Sequence, residues 1–254
     1  MSDKVKLIAT VGKGGVGKTS LSAAFVRILS EKYPDKRILA IDADPAIGLS
    51  TALGVEVRMT LDDIRKSIVD SVENGRKREA VEMLSEARFR LLDALVEKDG
   101  FSFIAIGRPE TAGCYCKVNA YLKEVIELIT QDFDFVVIDG EAGIEQINRR
   151  VMEKVTHLVL VSDASRKGIQ VINTIKNVAD SLVMYDEYGI IINRLPQSVS
   201  GDNLEIDKEK LLAVISDDPD QTRNDMFGES VFALQKDSPL LGGANNALKK
   251  LNII

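Results

Sequence analysis

Apolar residues in this chain come in short solid runs, separated by longer stretches where they recur every third or fourth position. Lys4 to Val11, Lys36 to Ile41, Phe101 to Ile106, Phe133 to Asp139, Thr156 to Val161, Val183 to Ile192 and Leu211 to Ile215 read as strands. Solid apolar runs of this length suit strands covered on both faces. Helices are expected at Thr19 to Leu29, from about Lys167, and at Leu240 to Leu251. Another is expected at Val118 to Ile129, with Tyr121, Val125, Leu128 and Ile129 on one face. Residues 59–96 also read as helical. Leu61, Ile64, Ile68 and Val72 keep a helical spacing, as do Ala80, Met83, Leu84, Ala87, Leu91 and Leu95. Strands alternating with helices predict an α/β fold, doubly wound, with a mostly parallel sheet flanked by helices. At 254 residues the chain suits one large domain spanning 1–254.

The stretch Gly12-Lys13-Gly14-Gly15-Val16-Gly17-Lys18-Thr19, followed by Ser20, fits G-x-x-x-x-G-K-[ST] between a strand and a helix. The glycines let several backbone N–H groups face one anion, the helix start adds partial positive charge, and Lys18 adds a full one. Thr19 is placed to offer its hydroxyl to magnesium. Two expected strands end in acidic residues, at Asp42-Ala43-Asp44-Pro45 and at Asp139. The C-terminal edge of a parallel sheet is where ligands bind. Locally, a turn could use Asp and Pro equally well, and Asp139 could be a helix cap.

The run from Lys13 to Thr19, with its early second lysine, resembles the deviant phosphate loop of the MinD/ParA/nitrogenase-iron-protein group of ATPases. That resemblance implies ATP or ADP bound with magnesium, and a homodimer in which Lys13 reaches the partner's nucleotide. It implies that Asp44 orients the attacking water, that Asp42 and Asp139 hold the magnesium shell with Thr19, and that Gly143 donates its N–H to the γ-phosphate. Asn193, next to Arg194, resembles the family's base-reading asparagine, though an ordinary turn asparagine would fit the local sequence. Residues 216–220 occupy the segment that packs on the base in relatives. Gly228-Glu229-Ser230-Val231 resembles the family's G-E-P-V stretch, with serine replacing proline.

Both cysteines, Cys114 and Cys116, lie in the loop expected after the third strand. In an extended segment, residues i and i+2 face one side, and paired thiolates suit zinc and other thiophilic metals. A closed tetrahedral site needs four ligands, which two chains about a two-fold axis supply. Spacing alone favours two incidental reduced thiols, and a disulfide across so short a separation is strained. The glycine-preceded Cys-x-Cys, with Glu141-Ala142-Gly143-Ile144-Glu145, resembles the CooC-type accessory ATPases of nickel insertion into carbon monoxide dehydrogenase, and their relative in acetyl-CoA synthase maturation. It implies one nickel or zinc ion held by Cys114 and Cys116 of both subunits. Gln146 stands where many such proteins carry histidine, so no role for that histidine carries over. Glu141 and Glu145 either couple this segment to a dimer interface or are solvated. Two other classes stay open: an iron–sulfur carrier or electron-transfer ATPase, and a partitioning or positioning ATPase of the ParA/MinD type.

Net charge is −6, with 28% charged and 45% hydrophobic residues, so there is no general nucleic-acid footprint. No apolar run approaches a membrane span. The start at Met1-Ser2-Asp3-Lys4 leaves no room for a signal peptide, which predicts a cytoplasmic protein with reduced cysteines. Arg58, Arg65, Lys66, Arg76, Lys77, Arg78, Arg88 and Arg90 alternate with acidic residues, so 59–96 is expected to be a solvated helical hairpin or flap, with partner docking as the other reading. The closing helix carries only Lys249 and Lys250 as a basic pair, which favours core packing over a membrane anchor. His157 is expected to be structural.

Overall fold

A computed structural model describes residues 4–107, 116–140, 151, 153–196, 198–199 and 204–254. The described strands form one sheet: β1 (Lys6–Gly12), β2 (Ile38–Asp42), β3 (Val96–Lys98), β4 (Phe101–Ala105), β5 (Phe135–Asp139), β6 (Lys154–Ser162), β7 (Met184–Leu195) and β8 (Leu211–Ser216). Their order is β3-β4-β2-β5-β1-β6-β7-β8. Only the β3–β4 pair is antiparallel. β1 is the switch point: the chain runs from it to β2 on one side and later returns to β6 on the other. In such sheets the crevice beyond the strand ends at that point is the ligand site.

The helices are α1 (Lys18–Lys32), α2 (Gly48–Leu53), α3 (Leu61–Glu73), α4 (Lys77–Ser85), α5 (Ala87–Ala94), α6 (Cys116–Thr130), α7 (Arg166–Leu182), α8 (Pro219–Phe227) and α9 (Pro239–Lys250). They cover both faces of the sheet. Phe25 and Leu29 of α1 and Leu248 of α9 pack on one face with Val137, Val159 and Ile191. Ile64, Leu91, Ile126 and Ile172 pack on the other with Val136, Ile138, Leu158 and Leu160. Alternate residues of β1, β2, β5, β6 and β7 therefore enter opposite cores, which is why these strand sequences are solid apolar runs. Among the described residues, no helix is long and apolar enough to cross a membrane.

Two sequence expectations need correction. Residues 59–96 are not a solvated hairpin. They form α3, α4, α5 and β3, and Leu61, Ile64, Ile68, Ala87, Leu91 and Ala94 enter the core, while Val72 is exposed. The inward face of α6 is Val118, Leu122, Val125, Ile126 and Ile129, whereas Tyr121 and Leu128 are exposed. The apolar stripe is wide enough to support two registers, and contact with α3 and α5 selects this one. Residues 216–220 lead directly into α8, a mostly polar helix that leaves no apolar period to read.

Chemistry at its start marks α8 instead. Asp218 Oδ1 accepts from the backbone N–H of Asp220 and Gln221, both at 3.1 Å. Its Oδ2 accepts from Ser238 Oγ at 2.5 Å and Leu240 N at 3.2 Å, so one buried carboxylate ties the starts of α8 and α9 together. Asp218→Ala should destabilise the protein by about 2–3 kcal/mol, since it removes a cap and leaves buried donors unpaired. Urea unfolding measures this, and a loss below about 1 kcal/mol would show that water replaces the carboxylate.

Candidate functional site

The glycine-rich loop leaves β1 at the switch point. Gly12 has φ 157° and lies so close to β6 that a Cβ would meet the Val161 carbonyl. Gly17 caps α1 in a left-handed conformation at φ 88°, and a Cβ there would stand 2.5 Å from Asn193 Nδ2. Both positions require glycine. Two side chains from the end of β7 brace the loop: Asn193 Nδ2 donates to Val16 O at 2.9 Å, and Arg194 Nη1 donates to Gly15 O at 2.9 Å. Lys18 is buried and folds back over the loop, its Nζ donating to Lys13 O at 3.3 Å.

Behind the loop, register does the positioning. Asp139 pairs with Thr10 across β1 and β5, and with Asp42 across β2 and β5. The two carboxylates thus end adjacent strands side by side, and both are fully buried. Asp139 accepts from Thr19 Oγ1 at 2.7 Å and Ser22 Oγ at 3.1 Å. Asp42 accepts from the backbone N–H of Asp44 at 3.1 Å and Leu49 at 2.9 Å. Burial, and then the neighbouring Asp139, pushes Asp42 up to about 7. Burial also pushes Asp139 up to about 6, against the hydrogen bonds from Thr19 and Ser22.

Among the described residues, neither carboxylate makes an ion pair. A buried anionic pair beside a hydroxyl is the oxygen-rich, under-compensated setting that suits magnesium, which takes one or two carboxylates and completes its shell with phosphate and water. Thr19, Asp42 and Asp139 therefore fit that ion. No group of three or more His, Cys, Asp or Glu among the described residues could hold a metal.

A cavity of about 620 Å³ opens in front of the loop, lined by Gly14, Gly15, Gly17, Lys18, Thr19, Ser20, Asp44 and Arg194. Asp44 Oδ1 accepts from Ala46 N at 2.9 Å. Thr51, Asn224, Asp225 and Glu229 also line it. The sequence reading missed Thr51, Asn224 and Asp225, which no motif carries. The G-E stretch ending in Glu229 was a signal at hand. Asp163 was missed too: it pairs with Lys13 at 2.8 Å, so Lys13 is not a free solvated lysine here. Burial works to raise Asp163, and the hydrogen bonds from Lys13 and Ser165 outweigh it, holding the carboxyl below its ordinary range. His157, half-buried, has Nδ1 2.7 Å from Thr156 Oγ1. Gly143, Glu141, Glu145, Gln146 and Cys114 lie outside the described residues, as does the side chain of Cys116.

A family model described as an AAA domain matches residues 5–185. An uncharacterised ATP-binding protein of Methanocaldococcus jannaschii is 37% identical over 190 residues, covering 74% of each chain. The carbon monoxide dehydrogenase accessory protein CooC of Rhodospirillum rubrum is 29% identical over 213 residues, covering 75% of this chain and 80% of that one. Among solved structures, the cell division ATPase MinD of Pyrococcus furiosus matches with a TM-score of 0.68, covering 97% of this chain and 98% of that one at 21% identity. The eight-stranded, mostly parallel sheet is thus the fold of that structure.

Proposed function

We propose, since the chain belongs to the AAA domain family, that it is a magnesium-dependent ATPase whose nucleotide state controls a homodimer. The observation that carries this is the buried Asp42–Asp139 pair with Thr19, directly behind a phosphate-binding loop. The loop amides and Lys18 bind the phosphates. Thr19, Asp42 and Asp139 hold the magnesium shell, and magnesium supplies charge stabilisation for phosphoryl transfer. Asp44 places the water that attacks the γ-phosphate, giving ADP and phosphate. Its backbone N–H donates to Asp42, so the water-positioning segment is tied to the metal ligand. Lys13 completes the partner's site, and Gly143 contacts the γ-phosphate.

The cargo we propose is nickel in function, or zinc as isolated, held by Cys114 and Cys116 of both subunits and delivered in the cytoplasm to carbon monoxide dehydrogenase or acetyl-CoA synthase. The Cys-x-Cys pair and the 29% identity to CooC support this reading. A metal that binds only the closed dimer favours closure, and hydrolysis removes the contacts that close it.

The test is metal content and mass measured together, anaerobically, with and without ATP or ADP, on the wild type and on Cys114→Ala/Cys116→Ala. One nickel or zinc per dimer, lost in the double variant, is the expected result. Iron and sulfide in cluster ratios would favour the iron–sulfur carrier. No metal, with nucleotide-driven dimerisation intact in the double variant, would leave an ATPase switch whose cysteines are incidental and would overturn the metal-delivery reading.

A further inference from the structure

We infer that Arg27 is a positioning residue: it fixes α2, and through α2 the place of Asp42 and Asp44, relative to the phosphate loop. The inference rests on the proposed ATPase reading and deepens it. Arg27 lies on α1, the helix that begins at the loop, yet it is 5% exposed and lines none of the cavity. A guanidinium is costly to bury unless its donors are used. Its Nε pairs with Glu31 at 2.7 Å. Its Nη1 donates to Val231 O at 2.7 Å and to Leu234 O at 2.9 Å. These carbonyls stand at the two ends of a short 3-10 helix, Val231–Ala233, capped by Leu234. Charge-assisted bonds of this length are strong, so the cation fastens that segment to α1.

The fastened segment supports one end of α2. Val231 and Leu234 are buried in the same cluster as Leu49 and Leu53 of α2, and the two elements are in contact. Ser230, just before the 3-10 helix, donates from Oγ to Ala52 O at 3.3 Å. Gly54 caps α2 so close by that a Cβ there would stand 3.4 Å from Ser230 Cβ. The other end of α2 meets the catalytic groups. Leu49 N donates to Asp42 Oδ2 at 2.9 Å, and Ile47 N donates to Asp44 O at 3.0 Å. With six residues, α2 is about 9 Å long. A single helical turn and a half of this kind moves as one piece, so a shift at Ala52 reaches Leu49.

Phosphoryl transfer depends on placement more than on covalent chemistry, and a misplacement of about 1 Å can cost on the order of 10²-fold. Affinity for the phosphates comes from the loop amides and Lys18, which Arg27 does not touch. Loss of the Arg27 bonds should therefore lower turnover and leave ATP affinity nearly unchanged. A cation that only stabilised the fold would lower the melting temperature without this split, and without loosening α2 more than the sheet.

Arg27→Met keeps an unbranched apolar stem and removes the donors. Phosphate release at saturating magnesium and ATP, calorimetric ATP binding, and hydrogen exchange of the metal-free protein test the inference. In the variant, kcat should fall at least ~10-fold while ATP affinity stays within about threefold of wild type. Amides of residues 48–53 should exchange at least ~10-fold faster, with those of β1 unchanged. Arg27→Lys keeps the charge and should recover part of the turnover. A folded Arg27→Met protein with normal kcat would overturn the inference. So would an affinity that falls as far as kcat, or exchange that quickens equally in β1 and α2. Should Arg27→Met fail to fold, Val231→Ala trims the support beneath α2 and leaves the cation in place. It should show the same split, and a normal kcat there would overturn the inference as well. A wild type that hydrolyses no ATP would instead overturn the ATPase reading, while the exchange comparison would still decide whether Arg27 holds α2.

Discussion

Lys18→Ala should reduce ATP hydrolysis by at least ~10³-fold in kcat/KM, because it removes the one full positive charge that the phosphate loop aims at the transferred group. Lys18 lies against the cavity and is 8% exposed, so its ammonium acts where water screens little. The fold should tolerate the change. Among the described residues its Nζ donates only to Lys13 O, at 3.3 Å, a small loss beside the burial of Leu21, Phe25 and Leu29 along α1. Phosphate release and calorimetric ATP binding, alongside thermal melting, separate the two effects. Activity within tenfold of wild type, in a protein that melts normally, would move the site away from this loop. Lys13→Ala makes the contrast. It breaks the pair with Asp163 but leaves the loop amides and Lys18 in place, so it should lower turnover more than ATP affinity if Lys13 serves the partner's site.

The sequence made the loop legible because its chemistry is local: the glycines, Lys18 and Thr19 are consecutive, and each follows from backbone geometry at an anion. The strands were legible because both faces of the sheet are covered. The adjacency of Asp42 and Asp139 was not. Each residue visibly ends a strand, but 96 positions separate them, and only the insertion of β5 between β1 and β2 makes them neighbours. Part of the cavity lining was hidden for another reason. Asn224 and Asp225 sit on a polar helix whose only sequence mark is Asp218-Pro219, a capping pair that also reads as a turn. Tyr121 and Leu128 misled because periodicity identifies an apolar stripe but not which edge of it the neighbouring helices cover.

Asp42→Asn should make the metal-free protein more stable at about pH 8 while it lowers hydrolysis by at least ~100-fold. Folding raises the Asp42 pKa from 3.8 to about 7. Below the unfolded value, both states are protonated and the carboxyl costs nothing. Between about 4 and 7 the unfolded chain releases its proton while the folded chain keeps it. The folded state then binds more protons, and stability falls as pH rises. Above about 7 the whole cost is present, on the order of 4 kcal/mol for a displacement of this size. Asparagine carries no charge, so it avoids that cost. It forfeits one of the two acceptors used by Asp44 and Leu49, which offsets about 1 kcal/mol. Urea unfolding in chelator should therefore place the variant above wild type at about pH 8, with the difference shrinking to near zero at about pH 4.5. Magnesium with ATP supplies the countercharge and should stabilise wild type more than the variant. A variant less stable than wild type at about pH 8 would mean that the two carboxylates already share a compensating charge without metal. The destabilised pair would then no longer account for a cation site behind the loop.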